Sequence, residues 1–293
     1  MTVRVPAPER HRAPFDVWSF AFGLAFAALL GVAGGRAGAG LELFLLNLGV
    51  GGAALVVVPR LRGAGPVPRL FGVTLPLLVF YLYYLEANLV LSGPAVPWRD
   101  AVVARAEWTW WSAMTPTPGS GVLREALAFA YMAYVPMLVA VAAALLVSPG
   151  RGAPAPAEAF VRRVCLAWAI CFVVFVLVPV LGPRFQFPDL QAARLGSGPF
   201  SALARLNQSR GMLHGGSFPS AHVAATTVAL WSIWRSRQAL RWAVAPLAAA
   251  LAVACVYLTY HYVVDVLAGV AVGACALAAD AFLTARAGAP DLR

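Results

Sequence analysis

Lysine is absent from this chain; all 22 basic residues are arginine. Charge of either sign is scarce, at 12% of residues against about 25% in soluble domains, while 61% are hydrophobic. That balance excludes the soluble globular classes and describes a protein whose solvent is a bilayer. The formal net charge of +10 does not point to nucleic acid, because the arginines flank apolar runs as a topological bias would place them. Cysteine is equally sparse. Cys165, Cys171, Cys255 and Cys275 all fall inside apolar runs, which argues against a disulfide framework or a metal cluster and for small core residues. A small-residue cleavage site is also missing after the first apolar run, so that run reads as a true span and not as a signal peptide. The abundance of alanine, glycine and proline suggests a GC-rich, bacterial genome.

What is present is apolar length. Runs near 16–34, 41–59, 69–92, 123–147, 160–181, 220–236, 241–259 and 262–284 each approach what a hydrocarbon core of about 30 Å requires. The expected fold is all-α: a single integral membrane domain over 1–293, a multispan transmembrane helical bundle of about eight spans with a six-helix catalytic core. The stretch 241–284 is nearly continuous, and the break is placed at its only polar interruption, Thr259-Tyr260-His261. With a cytoplasmic N-terminus, fourteen arginines fall inside and eight outside, four of the eight in the loop 182–219. This bias puts both termini in the cytoplasm, suits a bacterial inner membrane, and brings His222 and His261 to the same outer face.

Those two histidines are the sharpest feature. Imidazole is costly beside hydrocarbon, so titratable groups at membrane spans are functional candidates by default. His222 ends Phe218-Pro219-Ser220-Ala221-His222, where Pro219-Ser220 before an apolar run reads as a helix start capped by the serine. A helix N-terminus offers free N–H groups and the positive end of a dipole, and Gly215, Gly216 and Ser217 let backbone approach an anion closely. The serine is equally well explained as a cap alone. His261 precedes Asp265 by four residues, which on a helix puts both on one face and lets the carboxylate orient the ring. Taken alone, that pair is also explained as a polar clasp between helices. Both segments on one side, next to an arginine-rich loop, outline a phosphoryl- or acyl-transfer site.

At these residues the chain resembles the type 2 phosphatidic acid phosphatase superfamily. Its second motif, Pro-Ser-Gly-His, is matched by Pro219-Ser220-Ala221-His222, with alanine in the glycine position. Its third, Ser-Arg followed after five residues by His and after three more by Asp, keeps His261 and Asp265 but has Ala254 and Cys255 in the first two places. The first motif is only echoed by Gly182-Pro183-Arg184, and its lysine position is Leu177. The run from Tyr257 to Asp265 is similar to the corresponding stretch of fungal inositol phosphorylceramide synthase, and the resemblance covers roughly 160–284. It implies metal-free and cofactor-free phosphoryl transfer from a lipid phosphate or phosphodiester, with the catalytic motifs within 182–265. His261 is the implied nucleophile, forming a phosphohistidine; Asp265 holds its ring, and His222 protonates the leaving oxygen and then serves as base. Arg184, Ser220 and backbone N–H groups at Ala221 are the implied phosphate clamp, with Arg210 either replacing a missing basic group or standing as a solvated loop charge. Water and an alcohol such as inositol or another polyol are both open as acceptor. The competing reading is a transporter or flippase with a histidine proton relay; against it, the polar groups gather at one face and not at the midplane.

Four further features complete the reading. The outer segment 93–122, with Trp98, Trp108, Trp110 and Trp111, is an interfacial amphipathic stretch that either only anchors or also covers the lipid entrance. Glu86 is expected to pair with an arginine, the alternative being a role in binding an acceptor head group. Asp280 is expected at the inner interface. His214 is expected to be exposed and not catalytic.

Overall fold

The computed structural model describes residues 14–33, 37–62, 65–91, 96–116, 119–147, 156–209, 214–236 and 238–286, and among these there are helices and no strands. Long helices α1 (Pro14–Ala33), α2 (Ala37–Arg62) and α3 (Pro66–Leu91) come first. The short α4 (Asp100–Val103) and α5 (Trp108–Ala113) lead to α6 (Gly121–Met132), α7 (Tyr134–Leu146) and α8 (Pro156–Leu177). A loop carrying α9 (Pro183–Gln186), α10 (Pro188–Arg194) and α11 (Pro199–Ser209) precedes α12 (Ala221–Arg235), α13 (Arg241–Tyr257) and α14 (Val263–Arg286). Every expected span has a helical counterpart. Among the described residues, five helices are long and apolar enough to cross a bilayer singly, or six when α6 and α7 count as one bent span. The chain is therefore a multipass membrane protein. The remaining two, α12 and α13, have 15 and 17 residues and are the helices whose ends lead into the histidines.

Each break has a local cause. Pro136 has no N–H to offer the carbonyl one turn back, at Met132, and the axis turns by 51° between α6 and α7. The polar stretch after α13 turns at Thr259, whose φ is +59°, a sparsely populated region for a β-branched residue. The N–H groups of Tyr260 and His261 then fold back onto the Cys255 carbonyl, both at 2.9 Å.

Packing brings the motif helices together. α8 is central, touching α3, α7, α12 and α14, while α12 lies along α14. Gly269 and Gly273 allow that approach: a Cβ on the first would meet the Ser220 carbonyl oxygen at 2.6 Å, and on the second the Ala224 carbonyl oxygen at 2.7 Å. Small residues four apart are the usual means by which helices close in lipid, where burial of apolar area gives no drive. Asp265 sits one turn before Gly269 on the same face. At the opposite end of the bundle Arg62 pairs with Asp16 at 2.8 Å, and Asp280 accepts from Arg162 at 2.5 Å and Arg163 at 2.6 Å. Asp280, near the end of α14, is 1% exposed and paired with two guanidinium groups.

Candidate active site

The α12 start is built by Ser220, which caps the helix by accepting from Val223 N–H at 3.4 Å and donates its own N–H to the Asp265 carbonyl at 2.9 Å. Two residues on, His222 lies in the first turn, against the α6–α7 bend. Tyr131, just before the bend, stacks on its ring at 4.9 Å, and Tyr134, just after it, packs at 4.5 Å. The far partner of Tyr131 is Tyr260, at 4.0 Å, so an aromatic stack runs from His222 to the residue before His261. The two histidine rings are 6.0 Å apart, centre to centre.

His261 is buried, and its Nδ1 lies 2.9 Å from the Ser217 carbonyl oxygen. A carbonyl only accepts, so in the neutral ring Nδ1 carries the proton and Nε2 the lone pair. Asp265 is 3.5 Å from Nδ1. Its Oδ2 takes the Ser217 hydroxyl at 2.5 Å and the Tyr262 N–H at 2.8 Å, while Oδ1, also buried, accepts no hydrogen bond among the described residues. The i, i+4 pair is thus in contact although His261 precedes α14, and the Ser217 hydroxyl lies beside both groups, 3.4 Å from Nδ1.

The structure brings His222, His261, Asp265, Ser220 and Ala221 to one end of the bundle. The Ala221 carbonyl faces the Tyr134 hydroxyl at 3.4 Å, and the N–H groups of Ala221 and His222, first in α12, have no intrahelical acceptor. Arg184 joins them on α9, where burial lowers its pKa against the electrostatic support of Tyr131, Tyr260 and Tyr84. Its backbone approach depends on Gly182, at φ +95°, where a Cβ would lie 2.8 Å from Ser217 Oγ. Arg210 lies outside the described residues. Cys255, in the last turn of α13, is buried and hydrogen-bonded to the Ser220 side chain, so the position of the expected arginine holds an uncharged thiol.

His214 is exposed, as expected, and stacks on Phe185 at 4.6 Å; burial and the nearby Arg184 cation lower its pKa. Glu86 departs from expectation. Among the described residues its hydrogen-bond partner is Asn47, at 3.0 Å, and not an arginine, and the two lie on α3 and α2. Sequence reasoning gives Ser217 a part only in backbone approach to an anion and gives Tyr131, Tyr134 and Tyr260 no role at the site. The first meets His261 through its backbone carbonyl, which leaves no signature in sequence; the tyrosines stand out only once the fold stacks them between His222 and His261. Nor does it give Asp100 or Glu107 the contacts by which the segment 96–116 reaches the motif residues. Among the described residues no three of His, Cys, Asp and Glu converge as a set that could hold a metal ion.

A family model described as the PAP2 superfamily matches residues 104–279. No curated protein and no solved structure matches the chain.

Proposed function

Because the chain belongs to the PAP2 superfamily, and so to the phosphatase- and phosphotransferase-type enzymes that act on lipid phosphates in membranes, we propose that His261 is the nucleophile of a phosphoryl transfer at this site. The observation that carries the reading is the Nδ1 contact to the Ser217 carbonyl, which leaves Nε2 with its lone pair, opposite a second histidine 6.0 Å away. His261 Nε2 attacks phosphorus; the P–N bond forms as the P–O bond to the lipid alcohol breaks, and His222 gives its proton to the departing oxygen. The ring gains positive charge, which the nearby Asp265 carboxylate offsets across 3.5 Å. In the second half His222 takes the proton of the incoming water or alcohol, the new P–O bond forms, and the P–N bond breaks. Arg184, the Ala221 and His222 N–H groups, Ser220 and Arg210 form the phosphate clamp in this reading. The chemistry written this way is complete without a metal.

The finer assignment is transfer onto an alcohol acceptor, inositol or another polyol, as in the inositol phosphorylceramide synthase branch. The departures Cys255, Leu177 and Ala221 from the hydrolase motifs support it. We place the site on the outer face, with both termini cytoplasmic, on the arginine bias, and treat 1–293 as one domain with 93–122 at its outer interface. The test is a purified-protein assay of phosphate release or head-group transfer on a panel of phosphatidate, phosphatidylglycerol phosphate and polyprenyl diphosphate, with and without polyols. His261→Ala abolishes turnover, and His222→Ala lowers it by about 10²–10⁴-fold, the usual worth of general acid–base help. Full activity of His261→Ala, or no wild-type turnover across the panel, overturns the reading. Product lipid appearing only with a polyol selects transfer over hydrolysis.

A further inference from the structure

Two carboxylates with no part in that reaction grip the segments that carry it. Asp100, at the start of α4 and 3% exposed, accepts the Leu181 N–H at 2.9 Å on Oδ2, and the Gly182 N–H at 2.8 Å and the Tyr262 hydroxyl at 3.1 Å on Oδ1. Glu107, just before α5, accepts the Val263 N–H at 2.8 Å and the Trp111 indole N–H at 2.8 Å on Oε2, and the Val264 N–H at 2.8 Å on Oε1. Each therefore holds three donors; Asp100 does so buried from water and Glu107 half-buried.

The donors are not scattered over the protein. Leu181 and Gly182 are the residues just ahead of Arg184. Tyr262 directly follows His261, and its own N–H is bonded to Asp265. Val263 and Val264 are the first two residues of α14, whose N–H groups have no intrahelical acceptor, and a carboxylate there also meets the positive end of the helix dipole. The two acids are only seven residues apart on one short segment, which Trp111 fastens by stacking on Phe187 at 6.0 Å and meeting Tyr262 edge-on at 5.6 Å. One segment thus fixes the arginine loop against the His261–Asp265 turn.

We propose that Asp100 and Glu107 are positioning residues for the phosphoryl transfer, setting Arg184 against His261 and holding the α14 start so that Asp265 and Ser217 keep the ring in place. This rests on the reading of His261 as nucleophile. An isosteric amide keeps one acceptor oxygen and turns an NH₂ group toward N–H donors, so it cannot hold the same set. Misplacement near 1 Å costs about 10²-fold in rate.

The experiment compares wild type, Asp100→Asn, Glu107→Gln, Glu107→Asp and His261→Ala in detergent, on dioctanoyl phosphatidate, with kcat per folded protein and KM measured separately. Asp100→Asn and Glu107→Gln are expected to lose about 10–100-fold in kcat with KM within about threefold, and Glu107→Asp, which keeps the charge, to recover part of the loss. Wild-type kcat in both amide variants overturns the proposal. Should an amide variant fail to fold, Tyr262→Phe removes one donor to Asp100 and keeps the ring. A kcat loss of several-fold is expected there, and wild-type kcat overturns the proposal. An active His261→Ala brings down the nucleophile assignment itself, whereas an inactive His261→Ala beside wild-type amide variants brings down this inference alone.

Discussion

At the scale of single residues, the site depends on which group receives the Nδ1 proton of His261. The spacing of His261 and Asp265 brings the two into contact at 3.5 Å, as expected, and does not reveal the nearer partner of the ring, the Ser217 carbonyl at 2.9 Å, because His261 lies in the turn before α14 and not on it. The ring sits in the turn before α14, its proton goes to the Ser217 carbonyl, and Asp265 acts through the Ser217 hydroxyl and across 3.5 Å. Ser217→Ala separates the two roles of that serine: the carbonyl stays and the hydroxyl goes, leaving Asp265 with only the Tyr262 N–H. One lost hydrogen bond to a charged group is worth about 1.5–3 kcal/mol, so kcat is expected to fall by about 10–100-fold while the protein still phosphorylates on His261. Steady-state kinetics beside phosphoryl labelling checks this; an unlabelled variant would show the hydroxyl to be required for the nucleophile itself. Glu86 was misassigned for a related reason. Sequence shows a buried carboxylate in need of a partner, and the Asn47 that supplies it is 39 residues away on another helix.

At the scale of elements, the spanning helices were legible because each is an apolar run bounded by arginine, proline, glycine or the polar Thr259-Tyr260-His261 interruption, whereas α9, α10 and α11 fall where the sequence reads as the loop 182–219. Their contacts were not. The run 123–147 reads as one span, yet the bend at Pro136 is what turns Tyr131 and Tyr134 toward His222. Likewise Gly269 and Gly273 are unremarked among 26 glycines until α12 lies across them. Gly269→Ala sets a methyl group 2.6 Å from the Ser220 carbonyl oxygen, a backbone atom that moves only with the start of α12. Since His222 follows two residues later, activity is expected to drop by about tenfold or more, with a lowered melting temperature in detergent. Gly49→Ala is the control: its Cβ would meet nothing within 4 Å, and both quantities should stay at wild-type values. Equal effects of the two substitutions would mean that the α12–α14 contact does not set the site. The tryptophans of the segment 93–122 suggest an anchor or entrance cover; four of the six donors to Asp100 and Glu107 are backbone N–H groups, which no side-chain pattern announces.

At the scale of the whole molecule, the polar groups divide between two ends. One end holds His222, His261, Asp265 and Arg184 around a short aromatic stack; the other holds Asp16, Arg62, Arg162, Arg163 and Asp280 in ion pairs. The first end gathers the N-terminal turn of α12 and the Arg184 guanidinium near Tyr131 and Tyr260, whereas the second holds its charges in ion pairs. This division is what arginine counting could reach, and it is why both histidines could be assigned to one end before their distance was known. The claim on which the rest depends is a covalent phosphoryl group on His261. Brief exposure of the purified protein to a lipid phosphate labelled at phosphorus, followed by denaturation and peptide mapping, measures it directly. The account predicts a label that is acid-labile and base-stable, maps to His261, disappears in His261→Ala and is discharged by acceptor; product formed at the wild-type rate with no label on His261 would contradict it.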